Sequence, residues 1–304
     1  MEYVLTTNAL CKHYRNFKAL NGLSMHVPKG AIYGFVGKNG AGKTTLIRLI
    51  CGLQPVSSGD YTLYGVKSTD KEIGKVRRRM GAVVEMPSVY LDMTAEDNLR
   101  QQSRILGLPS YDGIGETLKL VGLGDTGKKK ARHFSLGMRQ RLGIATALVG
   151  DPDFLVLDEP VNGLDPQGII EIRELILKLN RERQITVLVS SHILGELSKI
   201  ATHYGFIDKG FLVKEISAQE LERECRKCAH LEVDDTRVLA RVLDSMGMEY
   251  VILSDTGADV YGEMEISALV LALNEQNCRI ISVKEREESL ESYYMSIVGG
   301  GENE

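Results

Sequence analysis

The sequence predicts an α/β fold with a mostly parallel sheet, followed by a smaller α+β module. Three observations carry that prediction. The runs 31–36, 154–157 and 186–189 are continuously apolar, as in strands buried on both faces. Helix-like segments alternate with strand-like ones through residue 200, the order of a wound parallel sheet. Between the first of those runs and its helix lies Gly37-Lys38-Asn39-Gly40-Ala41-Gly42-Lys43-Thr44, which reads G-x-x-x-x-G-K-T.

Composition bounds the rest. The 304 residues suffice for one large domain or two ordinary ones. Hydrophobic content of 43% and charged content of 26% are those of a soluble globular chain. A net charge of −4 supplies no global positive field, so no nucleic-acid partner is expected. The cysteines Cys11, Cys51, Cys225, Cys228 and Cys278 are scattered and odd in number, which points to a reducing compartment. Cys225-x-x-Cys228 stands in a charged, helix-like stretch with no second pair, so it is not read as a metal or redox site. No stretch reaches the ~18 apolar residues of a membrane span. Met1-Glu2-Tyr3-Val4-Leu5 has neither the basic nor the apolar region of a leader. The expectation is a cytosolic chain whose membrane role would run through a partner.

Taken in order, residues 3–10 and 23–27 read as strands, with Pro28-Lys29-Gly30 as a turn. Tyr14, between them, suits either stacking on an adenine ring or ordinary surface packing. In the glycine-rich stretch, glycines let successive N–H groups turn toward a phosphate, and the following helix adds its positive end. Lys43 would reach the β- and γ-phosphates and Thr44 would ligate Mg²⁺. Residues 55–60 are a loop and 61–65 a short strand with a turn. Arg77-Arg78-Arg79 reads as a solvated helix end. Residues 81–84 form a strand ending at Glu85. A helix over 94–106 opens on Thr94 and Asp97, spaced as a variant capping box. Residues 113–121 give a shorter helix. After the basic run 128–133, a helix carries Leu142, Ile144, Ala145 and Leu148 and stops at Gly150-Asp151-Pro152.

The run 154–157 ends in Asp158-Glu159-Pro160. Adjacent carboxylates at such a strand tip sit where open α/β sheets bind ligands. Asp158 can hold Mg²⁺, and Glu159 can orient and deprotonate a water. Residues 162–166 turn, 167–180 form a helix, and 186–189 a buried strand closed by Ser190-Ser191-His192. His192 is either structural or a phosphate sensor. A hairpin over 203–213 turns at Asp208-Lys209-Gly210. Past residue 216 the character changes. A charged helix over 218–228 reads as a connector. Strand 229–233, helix 236–246, strands 250–253 and 259–261, helix 266–276 and strand 278–284 make a βαββαβ order, suggesting a small ferredoxin-like module. A last helix is expected over 289–298, with Gly299-Gly300-Gly301 frayed.

Over residues 1 to about 215 these motifs resemble the ATP-binding subunit of an ABC transporter. Gly37 to Thr44 is similar to the Walker A loop, and 154–160 to Walker B with its catalytic Glu159. Asn162-Gly163-Leu164-Asp165 is similar to the D-loop and His192 to the switch histidine. Ser135-Leu136-Gly137-Met138 falls where the family has its signature, usually S-G-G-Q. Ser135 and Gly137 are kept, while Leu136 and Met138 depart. Glu85 stands where the family normally has Gln. With the runs 134–145 and 163–169, it resembles a narrower branch, that of bacitracin-resistance and lantibiotic-immunity subunits.

The resemblance implies a P-loop NTPase of ABC type, with an antiparallel β subdomain and a helical subdomain, over residues 1–215. Residues 216–304 would be an accessory module. It implies ATP bound by Tyr14, Gly37, Lys38, Asn39, Gly40, Ala41, Gly42, Lys43, Thr44 and Thr45. Ser135, Gly137 and Asp165 would contribute across a head-to-tail pair of subunits, a homodimer or a pair with a homologue. It assigns catalysis to Glu159, His192 and Lys43, and Mg²⁺ to Thr44, Asp158 and Glu85. The implied function is ATP hydrolysis that drives a separately encoded membrane permease, at the cytoplasmic face of the membrane, for antimicrobial-peptide export or immunity. An exporter of unrelated cargo is the nearest alternative. A non-transport ABC ATPase is a further one. The ribosome-associated kind carries two cassettes where this chain has one. The DNA-repair kind needs a long coiled coil where only 92 residues separate Gly42 from Ser135.

Overall fold

The computed structural model describes residues 2–225, 228–262, 265–286 and 290–299. The chain divides into two compact units, Met1–Ala218 and Gln219–Glu304, each described here by itself. In chain order the elements are β1 (Tyr3–Tyr14), β2 (Phe17–Leu23), β3 (His26–Pro28), β4 (Ile32–Val36), α1 (Lys43–Ile50), β5 (Ser58–Leu63), β6 (Val66–Lys67), α2 (Ile73–Arg77) and β7 (Met80–Val83). Then come α3 (Ala95–Leu106), α4 (Ile114–Leu120), α5 (Leu136–Leu148), β8 (Phe154–Asp158), α6 (Pro166–Arg183), β9 (Thr186–Ser191), α7 (Leu194–Leu197), β10 (His203–Asp208) and β11 (Phe211–Ser217). The rest is α8 (Ala218–Glu224), β12 (Cys228–Val233), α9 (Thr236–Ser245), β13 (Glu249–Ile252), β14 (Gly257–Tyr261), α10 (Ile266–Glu275), β15 (Ile280–Arg286) and α11 (Leu290–Gly299).

The central sheet of the first unit has the order β11-β10-β4-β9-β8-β7. Its strands from β10 to β7 run parallel, and β11 closes the edge antiparallel to β10. The apolar runs sit in the middle of it. β4 and β8 are buried throughout, and Phe154 to Leu157 have no exposed surface at all. Fully burying each such side chain contributes about 1.5–3 kcal/mol, so these strands hold rigid tips for whatever follows them. The antiparallel sheet β2-β1-β5-β6, with β3 on β1, covers α1 from the other side through Leu5, Leu10, Leu20 and Leu63. Helices α3, α4 and α5 pack on one another as a helical subdomain.

Several elements differ from the sequence reading. β1 continues to Tyr14 and pairs with β2 as a hairpin, where the sequence indicates a connection over 11–22. Register shifts on either side of Lys12 break the period-two pattern that would announce the strand. The expected charged helix over 218–228 stops at Glu224, and Cys228 opens a strand. The Arg77 to Arg79 run is not simply solvated. Arg77 donates to Ile50 O at 3.1 Å and to the Tyr61 hydroxyl. Arg79 pairs with Asp153 and lies over the Tyr64 ring at 3.9 Å.

Among the described residues of the second unit, four strands form an antiparallel sheet in the order β13-β14-β12-β15. Leu231, Val233, Leu239, Leu243, Leu269 and Leu273 form its own core. Ser289, the expected start of the last helix, and the Gly300-Gly301 part of the tail lie outside the described residues.

Candidate active site

The chain order of the three central strands is β4, β8, β9, but β9 lies between the other two. Their parallel register aligns Val36 with Ser191 and Ser190 with Asp158. The residues that leave the tips, Gly37, Glu159 and His192, therefore emerge at one edge of the sheet. This is the carboxyl edge at which open α/β sheets bind ligands.

The glycine-rich loop fits only because two of its residues lack a Cβ. At Gly37 a Cβ would stand 2.5 Å from the Ile207 carbonyl oxygen. At Gly42, φ is +115° and a Cβ would stand 2.6 Å from Ala19 O. The β1–β2 hairpin thus rims the loop. Helix α1 begins at Lys43, directly behind it, with no side-chain cap on its first N–H groups. Lys38, Asn39 and Gly40 are exposed, Ala41 is buried, and Thr44 and Thr45 are half-buried.

Lys43 is 5% exposed. Its ammonium donates to Gly37 O at 2.6 Å and Lys38 O at 3.2 Å, and lies 3.2 Å from Glu159 Oε1. Glu159 Oε2 meets His192 Nδ1 at 2.8 Å. One carboxylate thus bridges the lysine and the histidine. Oε1 is within ion-pair reach of Lys43 but off the hydrogen-bond line, and has no hydrogen-bond partner among the described residues. Asp158 Oδ2 is likewise buried without a partner there. A carboxylate oxygen left bare in the interior costs about 1–3 kcal/mol or more, so Asp158 Oδ2, which has no cation beside it among the described residues, suits a hard cation or its water shell. Thr44, next to Lys43 in the glycine-rich loop, supplies a hydroxyl of the right type. The donor set therefore fits Mg²⁺.

The other expected residues have different surroundings. Tyr14, 38% exposed at the hairpin tip, donates to Gln54, and the Lys12 ammonium stands 5.2 Å from its ring. Ser135 caps α5, its hydroxyl accepting Met138 N–H at 3.2 Å. Asp165 caps α6, accepting Gly168 N–H at 3.1 Å. Ser135 and Asp165 belong to touching segments. Leu136 Cδ2 lies 3.5 Å from where Gly163 would carry a Cβ, and Leu164 Cδ2 lies 3.9 Å from the same point at Gly137. Glu85, exposed and at φ +59°, pairs with Arg48 of α1 at 2.5 Å. Its carboxylate faces Arg48 here. Ser190 is given no role in the sequence reading beyond closing its strand. It is fully buried and bonds both Asp158 and Glu159, and the only hint was a hydroxyl at the end of an apolar strand.

The ABC transporter family profile matches residues 20–162. The bacitracin transport ATP-binding protein BcrA of Bacillus licheniformis is 38% identical over 304 residues, covering 99% of each chain. Its counterpart from Enterococcus faecalis is 37% identical over 99% of this chain and 98% of that protein. The lantibiotic transport ATP-binding protein SrtF of Streptococcus pyogenes is 40% identical over 70% of this chain and 90% of its own length. Among solved structures, the ADP conformation of an ATP-binding cassette of an ABC transporter superposes with a TM-score of 0.66 at 26% identity. It covers 74% of this chain and 94% of that one. With the glycine-rich loop, the paired carboxylates and His192 gathered at one sheet edge, and with such identity over 99% of its length, the chain belongs to the ABC transporter family as an ATP-binding protein.

Proposed function

We propose that this chain hydrolyses ATP to drive a separate membrane permease that exports, or gives immunity to, an antimicrobial peptide of the bacitracin or lantibiotic type. The observation that carries the ATPase reading is the single carboxylate of Glu159 between Lys43 and His192. The names of the full-length relatives support the cargo class. Among the described residues no helix is long and apolar enough to cross a membrane. The permease would be a separate chain, with this one at its cytoplasmic face.

Residues 37–45 would cradle the triphosphate, and Lys43 would pass from Glu159 and the loop carbonyls to the β- and γ-phosphate oxygens. That exchange frees Glu159 to take the proton of the attacking water. His192 then holds the γ-phosphate side of the site. Mg²⁺, held through Thr44 and Asp158, would neutralise the triphosphate charge. Two chains would pair head to tail, so that Ser135 and Gly137 of each face the nucleotide of the other, with Asp165 at the contact. Tyr14 would stack on adenine once its bond to Gln54 gives way. Residues 216–304 act as an accessory module.

Co-expression with the membrane protein encoded beside it tests this reading. Copurification of the two, and survival against bacitracin or a lantibiotic that is lost in the Glu159→Gln variant, is the expected result. Survival that does not depend on Glu159 would remove ATP hydrolysis from the proposed role. Copurification with resistance to neither peptide would leave the ATPase and overturn the cargo.

A further inference from the structure

We infer that Ser190 is a positioning residue: it sets which oxygen of Asp158 faces a nucleotide-bound divalent cation and holds Glu159 beside it. The inference rests on the Mg²⁺–ATP reading above. Ser190 has no exposed surface and lies on β9, between the strands that carry the phosphate loop and the two carboxylates. Its Oγ donates to Asp158 Oδ1 at 2.6 Å. The same oxygen accepts Glu159 N–H at 3.0 Å, and the Ser190 carbonyl shares that N–H at 3.2 Å.

A hydroxyl has one proton to give. Here it goes to a carboxylate that can only accept, so the chain runs one way, from Glu159 N–H through the hydroxyl to Asp158. Two consequences follow. Oδ1 is engaged, and Oδ2 is left buried without a partner among the described residues, as the oxygen available to a cation. Glu159 is also held at φ +48°, a region that a residue with a side chain enters at a cost and keeps only when its surroundings hold it there. Removing the hydroxyl frees the Asp158 carboxylate to turn, and leaves Glu159 N–H with the carbonyl alone. His192 follows two residues later, just past the end of β9, and its Nδ1 meets the Glu159 carboxylate at 2.8 Å, so the hydroxyl that holds Asp158 and the Glu159 N–H sits one step from the histidine.

The test is Mn²⁺ binding to the full-length chain with a non-hydrolysable ATP analogue, read from the electron paramagnetic resonance signal of free Mn²⁺. Ser190→Ala should weaken Mn²⁺ binding about tenfold, the scale for losing a partner of a metal ligand. Binding of the analogue in EDTA should stay unchanged, and Ser190→Thr, which keeps the hydroxyl, should restore most of the affinity. Asp158→Asn is the control. If it loses Mn²⁺ affinity and Ser190→Ala does not, the positioning role is overturned while the site reading stands. If neither loses it, the site reading fails and takes this inference with it. Equal weakening in the Ala and Thr variants would make space rather than the hydroxyl the cause, and would also overturn the role. Should Ser190→Ala not fold, Ser190→Cys keeps the volume with a weaker hydrogen bond and is read by the same titration.

Discussion

Lys43 meets three oxygens, those of Gly37, Lys38 and Glu159, in a pocket where it is almost wholly buried. A charge held this way is matched to a phosphate that replaces some of those oxygens, and its loss should be felt before any chemistry. Lys43→Ala should lower ATP affinity by at least about tenfold, since a charge-assisted contact in such a site contributes a few kcal/mol. Fluorescent-nucleotide titration measures it, and unchanged affinity would contradict the assignment of the loop. Glu159→Gln acts one step later. It keeps the shape and removes the carboxylate proposed as the base, so ATP should bind, turnover should nearly stop, and ATP should hold two chains together on size exclusion. Unchanged turnover would take Glu159 out of the mechanism.

Glu85 is held by a surface ion pair. It pairs with Arg48, with more than half of its side chain exposed. Such pairs contribute about 0–1 kcal/mol, so a docked partner could open it with little work. Glu85→Gln should therefore leave ATP binding intact and basal ATPase equal or higher, while export or resistance in cells falls. A hundredfold loss of basal ATPase would instead make Glu85 a residue of the catalytic site.

Among the elements, α3 has a start that is legible in the sequence through its cap. Thr94 Oγ1 accepts Asp97 N–H at 3.1 Å, and Asp97 Oδ2 returns to Thr94 N–H at 3.4 Å, a capping box with Asp in the third position. Thr94→Ala should destabilise the first unit by about 1 kcal/mol, the worth of a lost N-cap. Thermal melting should show a fall of about 2–4 °C. No change in melting would mean that tertiary packing alone holds this end. The same helix bundle contains α5, whose Gly143 lets Pro87 approach so closely that a Cβ would stand 2.6 Å from the proline's own. The loop after Glu85 is thereby packed on the helix that Ser135 caps.

At the scale of the whole molecule, every phosphate motif lies in the unit Met1–Ala218, which has its own core. A chain ending after Ala218 should stay folded and bind ATP with little change in affinity. A soluble truncation that cannot bind ATP would show that the second unit completes the site.

The sequence by itself determined the α/β class, the phosphate loop, the carboxylate pair at the end of 154–157 and the histidine after 186–189. Each is a local pattern, in which burial on both faces or a fixed spacing leaves its mark on neighbouring residues. Its failures are local as well. The bulges beside Lys12 hid the far end of β1, and a stretch rich in charge at 218–228 concealed the opening of β12. Only the tertiary structure decided that β9 runs between β4 and β8. That order joins Lys43, Glu159 and His192, sets Ser190 between the Asp158 carboxylate and the Glu159 N–H, and is invisible along the chain because it depends on which strands share hydrogen bonds. It also decided that Glu85 faces Arg48, since the direction of an exposed carboxylate follows from the nearest cation in space and not from its neighbours in sequence.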